Sequence, residues 1–189
     1  MASPRRLATP TLAVTSLVLL AVACSDTTGL PKASLENTVD TVSLFALSDP
    51  VVQQPSAYLL QGKLRVRTDQ STLLDFAFDF DSLGRPALYP TGAIHLGTAS
   101  GLRPATTVFD SIKIAPTGGY ELDKALTLDT GTVLLVRSRL ITCLNNIRVP
   151  LYAKLRVLGV DTTAQRLDFE ILVDQNCGYR GLAPGLPTQ

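Results

Sequence analysis

The side chains able to do chemistry in this sequence are few and are spaced far apart. The 189 residues include one histidine, His95, and three cysteines, Cys24, Cys143 and Cys177. A serine or cysteine nucleophile would have to use His95 as its base, and no serine lies in a nucleophile-elbow pattern. One histidine without free thiols does not supply the ligands that zinc needs. The sequence therefore predicts no catalytic histidine, no metal site and no cofactor.

The one pattern that suggests catalysis is Asp129-Thr130-Gly131, followed by an apolar run over residues 133–136. It resembles the active-site loop of retropepsin-like aspartic proteases. The resemblance implies that Asp129 shares a proton with a second such aspartate and activates water. Because the chain has one such loop, the second aspartate would have to come from another subunit. The same tripeptide forms ordinary hairpin turns, and we expect a turn and a protein that is not an enzyme.

Asp79, Asp81 and Gly84 have the spacing of the first part of a calcium-binding loop. Leu83 occupies the next ligand position, and the position of the bidentate glutamate falls on Pro90, so the chemistry of a calcium site fails. We interpret residues 81–85 as a hairpin turn in which Gly84 takes the left-handed conformation.

The first 24 residues have the pattern of an export signal. Arg5 and Arg6 precede an apolar run, Leu12 to Ala23, that ends directly before Cys24. Such a run spans about 18 Å as a helix, whereas crossing the hydrocarbon core takes roughly 20 residues. The pattern predicts a signal peptide over residues 1–23 rather than a permanent membrane span.

The segment Ala21-Val22-Ala23-Cys24 resembles the lipobox of bacterial lipoproteins, with Ala21 where leucine is usual. The resemblance implies acylation of Cys24 and stable anchoring by two or three acyl chains. Ser25, in place of an aspartate, favours the outer membrane over retention in the inner membrane. The alternative is that the ordinary signal peptidase cleaves after Ala23 and leaves Cys24 unmodified. Both interpretations place the domain outside the cytoplasm.

Export leaves Cys143 and Cys177 in an oxidising compartment, where an even pair predicts one disulfide. Residues 151–161 and 166–173 look like a hairpin in which the numbers of paired residues sum to about 327. Both cysteines then lie beyond the open end of this hairpin. Closing a loop of about 35 residues there would contribute roughly 3 to 4 kcal/mol.

Apolar residues recur at every second position along much of the chain after the leader. Leu74, Phe76, Phe78 and Phe80 alternate with Asp75, Ala77, Asp79 and Asp81, and we expect the second set to face solvent. A turn at 69–72 would pair this strand with residues 63–67, with Arg67 opposite Asp75 and Lys63 opposite Asp79. Further strands are predicted over 39–47, 93–96, 107–114, 125–128 and 132–142. This pattern predicts an all-β fold, an antiparallel β-sandwich, with a small β-barrel around an apolar ligand as the alternative.

One β domain is predicted over residues 38–180, after a lipidated N-terminus and linker over 24–37 and before a tail or strap over 181–189. The formal charge of +1 gives no basic surface for nucleic acid. Tyr120, Tyr152 and Tyr179 are candidates for an interaction patch. We expect a solvated strand face to carry the basic residues Arg137, Arg139, Arg148, Lys154 and Arg156.

The function favoured by these patterns is that of a lipid-anchored envelope protein outside the cytoplasm. It would act as a non-catalytic binding or structural module, held to the membrane through its anchor. The sequence does not specify whether its partner is a protein or a small molecule.

Overall fold

A computed structural model of the chain describes residues 31–49 and 53–188. The predicted signal peptide, the lipobox and Cys24 lie outside the described residues. The described part has an all-β fold, with three short 3₁₀ helices at Thr91–Ile94, Phe109–Ser111 and Leu144–Asn146. Its strands are β1 (Val39–Phe45), β2 (Ala57–Leu59), β3 (Leu64–Val66), β4 (Phe76–Phe80), β5 (Pro86–Pro90), β6 (Gly101–Pro104), β7 (Leu126–Thr127), β8 (Val133–Thr142), β9 (Arg148–Asp161) and β10 (Arg166–Asp174).

The strands form two antiparallel five-stranded sheets. The larger sheet has the order β1-β10-β9-β8-β6, and the smaller has the order β3-β2-β4-β5-β7. Over the residues that the structure describes, neither sheet closes on itself. The predicted antiparallel sandwich is confirmed, and the barrel alternative is wrong. Within the same residues, no helix has the length and apolar character required to cross a bilayer.

The core between the sheets is filled by aromatic and aliphatic side chains. Phe76 and Phe78 from the small sheet and Phe169 from the large sheet are fully buried there. The ring of Tyr58 stacks on Phe76 at 5.6 Å between centroids and meets the edge of Phe169 at 6.2 Å. Aromatic packing of this kind adds to the stabilisation that burial alone provides. Side chains therefore occupy the space that a carried apolar ligand would need.

The hairpin formed by β9 and β10 has the predicted register. Asp161 pairs with Arg166 and Val160 with Leu167, and a bulge after Asp168 then shifts the pairing by one residue. Cys143 and Cys177 form a disulfide beyond the open end of this hairpin, with their Cα atoms 6.1 Å apart. The predicted pairing of these cysteines thus agrees with the structure.

Two predicted strands are instead segments that cover a sheet. Phe109–Ser111 lies within the predicted strand 107–114 but forms a 3₁₀ helix, and Thr91–Ile94 overlaps the predicted strand 93–96 in the same way. Phe109 and Leu182 pack with Tyr152 in a second apolar cluster, on the face of the large sheet that points away from the sandwich core. Burial on this face, rather than strand pairing, satisfies Phe109, whereas Ile94 packs against the apolar cluster of the small sheet that contains Leu59.

This cover also changes the environment of Lys154, which was expected on a solvated face. Its side chain is 1% exposed. Nζ donates hydrogen bonds to the carbonyls of Phe109 and Ile112 at 2.9 and 3.0 Å and lies 4.5 Å from the centre of the Phe109 ring. The expectation for Lys154 is wrong because a distant segment closes over β9.

The predicted pairing of residues 63–67 with 75–79 is also wrong. β2 lies between β3 and β4 and pairs with both. All three residues of β2 are buried, so it lacks the alternation by which strands are recognised in sequence. Lys63 contacts Asp40 at 2.8 Å and Arg67 contacts Asp69 at 2.7 Å instead of the predicted partners.

The expected solvent face of β4 is partly buried as well. Asp75 and Ala77 are inaccessible to solvent. Ala77 belongs to a small apolar cluster with Leu59 and Leu74, so that part of this face is covered. The side chain of Asp75 instead reaches the other sheet.

Both ends of the described chain belong to the folded unit. Asn37 forms an antiparallel bridge with Gly185, and Leu182 is fully buried. The segment over 181–188 therefore packs on the domain as a strap. The last residues of the predicted linker are likewise paired with this strap.

Candidate functional site

A buried ion pair joins the two sheets near the start of β4. One carboxylate oxygen of Asp75 accepts a hydrogen bond from the backbone N–H of Leu60 at 2.8 Å, and the other accepts from the backbone N–H of Arg139 at 2.9 Å. The guanidinium of Arg139 lies alongside, with Nε 3.5 Å from Asp75. Burial raises the pKa of the Asp75 carboxyl, and the hydrogen bonds and charge of Arg139 act against this rise.

A bulge in β8 places Arg139 at this position. The pairing of β8 with β9 is interrupted between Arg137 and Leu140, so Ser138 and Arg139 leave the regular ladder. The hydroxyl of Ser138 accepts a hydrogen bond from the backbone N–H of Leu151 at 2.7 Å and so satisfies a donor on β9. The Arg139 side chain then lies against Asp75, and its Nη donates a hydrogen bond to the carbonyl of Leu74.

Arg137 remains on the outer face of the large sheet. Its guanidinium carbon lies 5.6 Å from the centre of the Tyr120 ring, a cation–π contact. Tyr120 packs against Tyr152 at 6.3 Å and donates a hydrogen bond to the carbonyl of Pro116 at 2.9 Å. The ring that supports Arg137 is therefore itself fixed in place.

These arginines line a groove of about 620 Å³, here called the arginine groove. No aspartate or glutamate is among its lining residues, and Arg137 and Arg148 form no ion pair within residues 31–49 and 53–188. Arg139 alone shares its charge, with Asp75. The lining residues are Thr98, Ala99, Arg137, Ser138, Arg139, Leu140, Arg148 and Pro150.

A second groove, of about 670 Å³, opens between the edge strands β1 and β3. Tyr58 forms part of its wall and is 1% exposed, and its hydroxyl has no hydrogen-bond partner within the described part of the chain. Burial raises the pKa of this hydroxyl, and the negative charge of Asp40 adds to the effect. Lys63 crosses the groove to contact both Thr38 and Asp40, so an ion pair spans this edge.

Asp129 lies in an exposed turn that connects β7 in the small sheet to β8 in the large sheet. Its backbone N–H donates to Thr132 Oγ1 at 2.9 Å, and Gly131 adopts a φ of 87°. The interpretation as a turn is confirmed, although the turn joins two sheets rather than the strands of one hairpin. In the protease interpretation, Asp129 would share a proton with a second carboxylate. The turn leaves Asp129 exposed to solvent, and a second subunit would have to bring that carboxylate to it.

The remaining sequence candidates have structural roles. Asp81 accepts hydrogen bonds from the backbone N–H groups of Arg85 and Leu83 and from the Arg85 side chain, and these bonds lower its pKa. Gly84 has the left-handed φ of 72° that the predicted turn requires.

His95 is exposed at the end of a 3₁₀ helix. Across the described residues, no group of three or more His, Cys, Asp or Glu side chains is placed to hold a metal ion.

The described N-terminal residues are clamped to the loop that follows β10. Asn176 accepts hydrogen bonds from the backbone N–H groups of Ser34 and Leu35 at 2.8 and 3.0 Å and donates to the Leu35 carbonyl. Tyr179 accepts one from Ala33 at 2.9 Å. Tyr152 and Tyr179 are both buried. Two of the three tyrosines that were candidates for an interaction patch therefore pack inside the domain.

The arginine groove is the feature that sequence reasoning missed. Arg137, Arg139 and Arg148 were recognised as a basic set, but an even alternation would place Arg137 and Arg139 on one face. The bulge breaks that alternation, and Pro150 on β9, which pairs with Leu140 where the ladder resumes, is the signal in the sequence that could have found it. No known protein-family model matches this chain, and no curated protein matches it.

Proposed function

We propose that this protein is a lipid-anchored module of the bacterial envelope, folded outside the cytoplasm, that binds a ligand without catalysing a reaction. Acylated Cys24 is its anchor, and the β-sandwich is its binding domain. The ligand is held in a groove on the surface of the sandwich rather than in its filled interior.

The N-terminal clamp is the observation that supports this proposal most strongly. Ala33 lies nine positions after Cys24, and at about 3.5 Å per residue this stretch reaches about 30 Å at most. Ala33 is held by Tyr179, two residues from the disulfide cysteine Cys177. The chain from the anchor therefore joins the domain close to the Cys143–Cys177 disulfide, which stabilises this end of the sandwich.

The disulfide supports the location. A pair closed across 34 residues is expected in an oxidising compartment and would be at risk of reduction in the cytoplasm.

Mass spectrometry of the protein purified from bacterial membranes tests the anchor. We expect a mature N-terminus at Cys24 that carries a diacylglycerol thioether, and release of the Cys24→Ser variant from the membrane fraction. The double variant Cys143→Ser, Cys177→Ser serves as the control, because it removes the other two cysteines without touching the anchor. Unmodified Cys24 at the mature N-terminus, or an intact leader, would overturn the proposal.

A further inference from the structure

We propose that the arginine groove binds a doubly charged tetrahedral oxyanion, the phosphate group of a small phosphate ester. This inference gives a ligand class to the binding role proposed above. It rests on that binding role and does not depend on the lipid anchor.

The charges in the groove point to a dianion. Arg137 and Arg148 contribute two positive charges that no carboxylate compensates within the described residues, while Arg139 is already paired with Asp75. A phosphate monoester carries about −1.5 to −2 at neutral pH. A phosphate therefore matches both free guanidinium groups, whereas a single carboxylate would leave one of them without a partner.

One wall of the groove and one of the two free donors are held before any ligand arrives. Asp75 and the carbonyl of Leu74 fix Arg139, and the Tyr120 ring supports Arg137. Fixing side chains in advance reduces the conformational entropy that binding would otherwise cost. Arg148, which is exposed at the start of β9, completes the set from the neighbouring strand.

The shape of the groove favours an ester over a free inorganic ion. Ala99, Leu140 and Pro150 add apolar surface to the lining that the arginines share. A volume of about 620 Å³ falls in the range of pockets that hold small organic molecules, about 300 to 1,000 Å³. The apolar residues would contact the organic part of the ester while the arginines hold its phosphate.

Calorimetric titration of the full mature protein tests the inference with phenyl phosphate, inorganic phosphate and benzoate. We expect phenyl phosphate to bind most tightly, benzoate to bind at least about tenfold more weakly, and the affinity to fall with added salt. Arg148→Gln and Arg137→Gln should each weaken phenyl phosphate binding about tenfold, since each removes a charged hydrogen-bond donor.

Arg65→Gln is the matched control, because Arg65 is an exposed arginine that lines the other groove. Arg148 is exposed and Arg137 packs on Tyr120, so Arg148→Gln provides the test if Arg137→Gln fails to fold by circular dichroism. The inference is overturned if neither the three probes nor phosphatidic acid vesicles bind, if benzoate equals phenyl phosphate, or if Arg65→Gln weakens binding as much as Arg148→Gln.

The phosphate group has two possible sources, a soluble ester or a lipid headgroup. Co-sedimentation with phosphatidylcholine vesicles, with and without phosphatidic acid, separates them. Binding to phosphatidic acid vesicles that Arg148→Gln abolishes, without binding of phenyl phosphate, would assign the groove to a headgroup. Binding of phenyl phosphate would assign it to a soluble ester, and both results support an oxyanion site. Because Cys24 is assayed separately by mass spectrometry, loss of the anchor and loss of the anion site are distinguishable.

Discussion

Asp75 and Arg139 connect the two sheets of the sandwich through a carboxylate that is inaccessible to solvent and a guanidinium 3.5 Å away. The two residues are 64 positions apart in sequence. Each also takes part in backbone hydrogen bonds, from Leu60 and Arg139 to Asp75 and from Arg139 to Leu74. The pair thus fixes the bulge in β8 and, with it, the position of one wall of the arginine groove.

Asp75→Asn should destabilise the protein by about 3 kcal/mol, because it leaves Arg139 without its charged partner and places an amide N–H₂ where an acceptor is needed. Urea unfolding at neutral pH measures this loss. Asp69→Asn, at the more accessible pair with Arg67, should leave the unfolding midpoint unchanged. A double variant with Arg139→Gln should lose less than the sum of the single losses, and strict additivity would contradict the pairing.

Lys154 should make stability depend on pH in the alkaline range. Burial is the main cause that lowers its pKa and Lys113 adds to it, while Asp110 and Glu170 act in the opposite direction. The unfolded chain therefore holds this proton more tightly than the folded protein. Stability should rise with pH from the lowered folded pKa up to the ordinary lysine value of about 10.4.

A comparison of the wild type with Lys154→Met checks the direction of this pH dependence. The free energy of unfolding of both proteins is measured between about pH 7 and about pH 10. The difference in unfolding free energy, wild type minus variant, should become more favourable to the wild type as the pH rises. The exposed Lys124→Met is the control and should show no such trend. A difference that falls with pH would mean that Lys154 is stabilised in its charged form.

Reduction of the Cys143–Cys177 disulfide should cost about 3 to 4 kcal/mol, because the unfolded chain gains the freedom that the closed loop removes. Thermal unfolding with and without a reductant measures this cost. The double variant Cys143→Ser, Cys177→Ser should unfold at the temperature of the reduced wild type. It should also be insensitive to the reductant, and a remaining effect would show that the reductant acts elsewhere.

Asn176→Ala should release the N-terminal clamp. Its side chain satisfies the N–H groups of Ser34 and Leu35 and the carbonyl of Leu35, so amide hydrogen exchange at both residues should speed up at least about tenfold. The core amide of Phe169 should keep its protection relative to global unfolding. Gln70→Ala, an exposed amide, is the control. Unchanged exchange at Ser34 would show that other contacts hold this segment.

Local patterns in the sequence determined much of the larger sheet. The register of β9 with β10 follows from alternation on both sides of one turn at Asp161, and the disulfide follows from the cysteines just beyond the open end. The turn at Gly84 is also local, because Asp81 bonds to residues two and four positions later. Each of these features depends on residues that are neighbours in the chain or across one hairpin.

Only the tertiary structure decided which residues of those strands are covered. Lys154 is buried because the segment that contains Phe109, 45 positions earlier, closes over it. Asp75 is buried because Arg139 approaches from the other sheet, and β2 enters between two strands that alternation alone would pair. Alternation defines two faces of a strand but contains no information about which distant segment packs on each. For the same reason the arginines were recognisable as residues, while their assembly into a groove depended on a bulge in β8 and on the contact of Arg139 with Asp75, 64 positions away.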